Sequence, residues 1–104
     1  IIEDLWSAMG DQFKLLVSVF LEDAPGHLAK LEAAVVLGDM DGLIAPAHSL
    51  KSSSANLGAI QVSGAAKRIE HGARDRSLVH PVDAVNHLSL ELQRAEVELR
   101  KLLH

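Results

Sequence analysis

Apolar residues recur at three- and four-residue steps along nearly the whole chain, a spacing that restricts it to helices burying one stripe each. The last segment shows this most plainly: Val85, Leu88, Leu92, Ala95, Leu99 and Leu102 follow one another at intervals of 3, 4, 3, 4 and 3. Pro81 suits the first turn of that helix, and Arg100 and Lys101 suit the negative end of its dipole. Phe13, Leu16, Val17, Phe20, Ala24, Leu28, Leu31 and Val35 make the stripe of a first long segment, with Asp11 as N-cap and Gly38 as stop. Pro25 lies inside it and predicts either a kinked helix or two helices meeting there. A second segment opens at Gly38-Asp39, with Asp39 as cap, and carries Leu43, Ala47, Leu50, Ser54 and Leu57. Gly42, four residues before Pro46, leaves room for the proline ring in a bent helix. A third segment, from about Ala59 to Arg74, has the stripe Val62, Ala65, Ala66, Ile69 and Ala73, and residues 75–80 form a loop.

Four such stripes can be buried only against one another, so the expected fold class is all-α, an antiparallel four-helix bundle. Ile1 to Met9 is expected to add a short N-terminal helix closed by Gly10, with Leu5 and Trp6 covering one end of the core. Residues 1–104 form one domain, because a chain this short has no room for a second core.

Composition removes several functions. Ten Lys and Arg against fourteen Asp and Glu give a net charge of −4, which opposes binding to nucleic acid. Trp6, Phe13 and Phe20 are the only aromatics, too few for a base-stacking platform. Cysteine is absent, so disulfides, thiolate nucleophiles and zinc knuckles are excluded. The six histidines never form an i,i+4 pair and no Glu-x-x-His occurs, so neither a metal nor another cofactor is expected in this domain. The longest apolar run, Leu15 to Leu21, is interrupted by Ser18 and is far too short to insert into a membrane. A start at Ile1 is expected of a piece of a longer protein, and a cytoplasmic setting is expected with it.

The chemistry is concentrated in Ala47-His48-Ser49-Leu50-Lys51-Ser52-Ser53-Ser54-Ala55-Asn56-Leu57-Gly58-Ala59. At ~100° per residue, His48 falls roughly 140° from the buried stripe, Lys51 roughly 80°, Ala55 roughly 120° and Ser52 roughly 180°. An imidazole therefore points outward, one turn from an ammonium group and among small side chains. That suits a ring nitrogen that accepts a phosphoryl group while the lysine offsets the arriving charge. The chain has no Gly-rich phosphate loop of its own, so partners must supply the catalytic machinery. On the third helix Lys67, Glu70 and Arg74 share one flank. With the second and third helices as antiparallel neighbours, Glu70 can accept a hydrogen bond from one imidazole nitrogen and leave the other facing outward. Arg74 and Lys67 then add positive potential. Glu70 and Arg74 also satisfy the spacing of an ordinary helix ion pair.

The run from His48 through Lys51 to Leu57-Gly58-Ala59 resembles the signature of histidine-containing phosphotransfer (HPt) domains of two-component phosphorelays. The family pattern is His-x-x-Lys-Gly, then small residues, then Leu-Gly. Phe20-Leu-Glu-Asp-Ala-Pro25, the Gly38-Asp39 turn and Arg68-Ile69-Glu70…Arg74 also lie where the family has similar features. The resemblance implies that His48 is phosphorylated, that Lys51 is its charge partner and that Glu70 stands where the family often has Gln or Glu beside the imidazole. It implies receiver domains as partners, with Mg²⁺ on the receiver, and a parent in a hybrid sensor histidine kinase; the domain itself is expected to be a monomer. One position departs from the pattern: the glycine after the lysine is Ser52. Ser52 keeps open an alternative, a degenerate bundle that docks receivers or dimerises without carrying phosphate.

Overall fold

The computed structural model describes residues 10–103, so the expected helix from Ile1 to Met9 lies outside the described residues. Four α-helices follow in order: α1 (Asp11–Leu37), α2 (Ile44–Asn56), α3 (Ile60–Arg74) and α4 (Pro81–Lys101), with one 3₁₀ turn at Asp41–Leu43 before α2. Short links make successive helices antiparallel neighbours, and α4 closes back onto α1. Among the described residues no Cα atoms of α1 and α3, or of α2 and α4, come within 8 Å of each other, so the helices occupy the corners of a square around one core. The molecule measures 41 × 19 × 18 Å, and α1, at ~1.5 Å per residue, runs nearly its full length.

The stripes of α2 and α3 read from the sequence are buried throughout, as are Val85, Leu88, Leu92 and Leu99 of α4. On α1 the core is Phe13, Val17, Phe20, Ala24, Leu31 and Ala34. Leu16 departs from expectation: it is exposed, on a wall of a surface groove described below.

Local structure differs from the sequence expectation at Asp11, Pro25, Asp39 and Pro46. Gly10, in a left-handed conformation, holds the N-cap of α1, and Asp11 is the first helical residue with no side-chain capping bond. Pro25 breaks nothing: α1 is one continuous helix. The ring lies on the exposed side next to buried Ala24, where water can satisfy the carbonyl that loses its N–H partner. Asp39 caps the 3₁₀ turn and not an α-helix, its carboxylate accepting the Gly42 N–H at 3.0 Å. A Cβ on Gly42 would stand 2.5 Å from Asp39 Oδ2, so a larger residue there would push that carboxylate out of its capping position. Pro46 is the third residue of α2, in the first turn, where backbone N–H groups lack helical partners in any case. Gly38 ends α1 at φ 67°, with the Asp39 N–H bonded to the Ala34 carbonyl at 2.9 Å, the αL termination expected of a glycine.

Candidate functional site: an imidazole and a shared carboxylate

The link of residues 57–59 turns α2 back along α3, with Gly58 at φ 75°. These two helices make the most extensive contact in the bundle. Ala47 and Leu50 share one core with Val62, Ala66 and Ile69, Ser54 is also buried, and the small residues let the backbones approach. Ser63 of α3 donates its hydroxyl to the Lys51 carbonyl at 3.1 Å, a cross-link beside the site. Ser54 is fully buried and returns its hydroxyl to the Leu50 carbonyl in its own helix. The register this sets brings His48 opposite Glu70.

Glu70 is the hub. Its Oε2 lies 2.9 Å from His48 Nδ1 and 2.7 Å from an Arg74 guanidinium nitrogen, and its Oε1 lies 2.6 Å from Lys51 Nζ as an ion pair. The side chain of Glu70 is 3% exposed, whereas those of His48 and Arg74 are each 53% exposed. The carboxylate is thus roofed by its partners more than sunk in the core. Close contact with Lys51 is the main cause that holds its carboxyl below the usual value of 4.5; burial opposes this, and the His48 hydrogen bond adds to it.

An ionised carboxylate can only accept, so the 2.9 Å contact requires Nδ1 of His48 to carry the hydrogen. The neutral ring then has its lone pair on Nε2, which makes no hydrogen bond among the described residues and lies on the exposed side. The arrangement is a nucleophile with a fixed tautomer, open to an incoming protein and flanked by two cationic groups.

Beside it, α1 and α2 enclose a groove of about 440 Å³. Leu16, Val19 and Phe20 line one wall, and His48, Ser52 and Asn56 line the other. Ser52 is exposed there. A larger hollow of about 830 Å³ lies between α3 and α4, lined by Ile60, Glu91, Arg94 and Leu102 among others, on the opposite edge of the bundle from the imidazole.

The structure therefore brings together His48, Lys51, Glu70 and Arg74, with Ser52 on the groove wall. It does not bring in the other two expected positions: Ala55 is exposed outside the groove lining, and Lys67 is exposed with no ion pair among the described residues. The apolar α1 wall was missed at the sequence level, although Val19 lying off the buried stripe was a signal for it. Lys51 was expected as a charge partner for a phosphoryl group on His48; in the structure its ammonium group pairs with Glu70.

The family model for the Hpt domain matches residues 15–98. This chain belongs to the Hpt domain family. The match covers the whole of the site and all four helices in large part. The fold is similar to the crystal structure of histidine-containing phosphotransfer protein B (HptB) from Pseudomonas aeruginosa PAO1, with a TM-score of 0.86 at 28% sequence identity, covering 96% of this chain and 87% of that one. A search of the curated proteins finds no match. This Hpt domain is a phosphotransfer carrier of a two-component phosphorelay, a class whose members pass phosphate to receiver domains. Among the described residues no helix is long and apolar enough to cross a membrane.

Proposed function

We propose that His48 is the residue that carries the phosphoryl group, taking it from a receiver aspartate and passing it to another receiver. The observation that carries this reading is the 2.9 Å contact between Nδ1 and an ionised Glu70 beside an unencumbered Nε2. In transfer, the Nε2 lone pair forms the N–P bond as the P–O bond of the aspartyl phosphate breaks, and the aspartate departs as a carboxylate. The Nδ1 proton stays on the ring, which becomes cationic, and Glu70 stabilises that charge where it develops. Lys51 and Arg74, both on flexible stems at the surface, can turn from Glu70 toward the phosphoryl oxygens. Reversal of the same steps returns the group. Mg²⁺ belongs to the receiver in this scheme and would supply charge neutralisation on that side.

The reading carries with it a monomeric domain working in the cytoplasm, without nucleic acid. The test is incubation with a phosphorylated receiver. Wild-type protein is expected to take up an acid-labile, base-stable phosphate, and His48→Gln to take up none while retaining its helical circular dichroism. Persistent labelling of His48→Gln would place the phosphate on another residue.

A further inference from the structure

His27 of α1 lines the same groove as His48 but plays no part in the carboxylate cluster. Its ring is half-buried, and its Nδ1 is sealed from solvent with no hydrogen-bond partner. Its Nε2 is open to solvent and makes no hydrogen bond among the described residues. Buried polar atoms are nearly always satisfied, and an orphaned buried N–H is rarer than an under-satisfied acceptor. The neutral ring therefore keeps its hydrogen on the open nitrogen, and Nε2–H is an unused donor presented to the groove. Asp23, one turn earlier on the groove wall, makes no hydrogen bond with it.

A protein that reaches His48 meets this groove, because His48 and His27 are both part of its lining. We propose that His27 is a receptor for the docked receiver, donating Nε2–H to a carbonyl or carboxylate oxygen on that partner and favouring receivers that place an acceptor there. This rests on the phosphorelay reading above. His27 acts on docking and not on the reacting atoms, so it should set the concentration of receiver needed and leave the bound-state rate alone. A partner without an acceptor at that point would bury a second unsatisfied nitrogen of the ring and bind less well.

The test compares wild type, His27→Phe and His27→Gln in single-turnover transfer from the phosphorylated domain to several receivers at varied receiver concentration. Phenylalanine keeps the ring but removes the donor; glutamine restores an N–H. For at least one receiver, His27→Phe is expected to raise the half-saturating concentration about threefold to tenfold with the limiting rate unchanged, as loss of a single net hydrogen bond would. His27→Gln is expected to recover most of it. Long-range ¹H–¹⁵N spectra of the free wild-type domain are expected to show the Nε2–H form at His27. An Nδ1–H form, a His27→Phe domain equal to wild type with every receiver, or a His27→Gln domain no better than His27→Phe would each overturn the inference alone. A wild-type domain that takes no phosphate would overturn the function proposed above together with it.

Discussion

Among the described residues two glutamates are buried, on opposite flanks of the bundle, and they are built for different ends. Glu91 of α4 pairs with Arg94 of its own helix at 2.9 Å, a local i,i+3 contact beside a hollow whose lining holds no histidine. Glu70 takes donors from two helices, with His48 and Lys51 on α2 and Arg74 on α3. A contact within one turn only satisfies the glutamate; a contact across helices fixes the orientation of someone else's side chain. The comparison shows how one residue type at similar burial serves solvation on one flank and tautomer selection on the other.

The contrast breaks most sharply under truncation. Glu70→Ala is expected to slow phosphoryl uptake about tenfold to a hundredfold, the worth of a hydrogen bond to a charged group. Glu91→Ala should leave uptake rates unchanged. The thermodynamic cost of Glu70→Ala should be small, about 1 kcal/mol or less by denaturant titration, because His48 and Arg74 are half exposed and can turn to water. A Glu70→Ala domain that transfers at the wild-type rate would remove the carboxylate from the mechanism.

Acid gives the second separation. The folded carboxyl of Glu70 is held below 4.5, so the unfolded chain binds the proton first. The stability it contributes is complete above that value and is lost as pH falls through the lower, folded value. Denaturant titrations from about pH 6 to about pH 3 should therefore show a steeper loss in wild type than in Glu70→Gln. Equal slopes would mean that Glu70 is not perturbed in solution.

Exchange of the flanking cations should give a smaller effect. Arg74→Ala is expected to reduce uptake severalfold, and Arg94→Ala, its counterpart on the other flank, to leave it untouched. Screening by salt limits what an exposed pair contributes, so raising ionic strength should narrow the Arg74 difference. The smallest change expected is at Ser52, exposed on the groove wall without a hydrogen bond: Ser52→Gly should alter transfer no more than about threefold. A large gain in rate would show that the hydroxyl obstructs docking.

Most of the architecture was legible because the apolar stripes are nearly pure: every stripe position assigned to α2 and α3 is buried. The ends were less legible. Asp11 and Asp39 both have capping chemistry, but a glycine with positive φ took the first cap and a 3₁₀ turn took the second carboxylate. Pro25 could not be resolved from sequence between a kink and a break, since that depends on whether its face meets solvent. At the site, His48, Lys51, Glu70 and Arg74 were assembled from helical spacing and one pairing assumption. The sharing of a single carboxylate among all three partners was not, because helix wheels give angle and not the axial register that brings α3 level with α2. The groove beside His48 was invisible for the same reason, since it needs two helices at a known offset.

The fixed Nδ1 proton gives the empty and loaded carriers different faces. Lys51, Arg74 and Glu70 together sum to one surplus positive charge around the unmodified ring. In the proposed transfer, a phosphoryl group of about two negative charges on a ring that has become cationic would cancel that surplus. In that scheme a negatively charged receiver face would be drawn toward the vacant carrier, and the pull would fade once the cargo is aboard. Unloading is favoured by the same electrostatics that bring about loading, with no change of shape required.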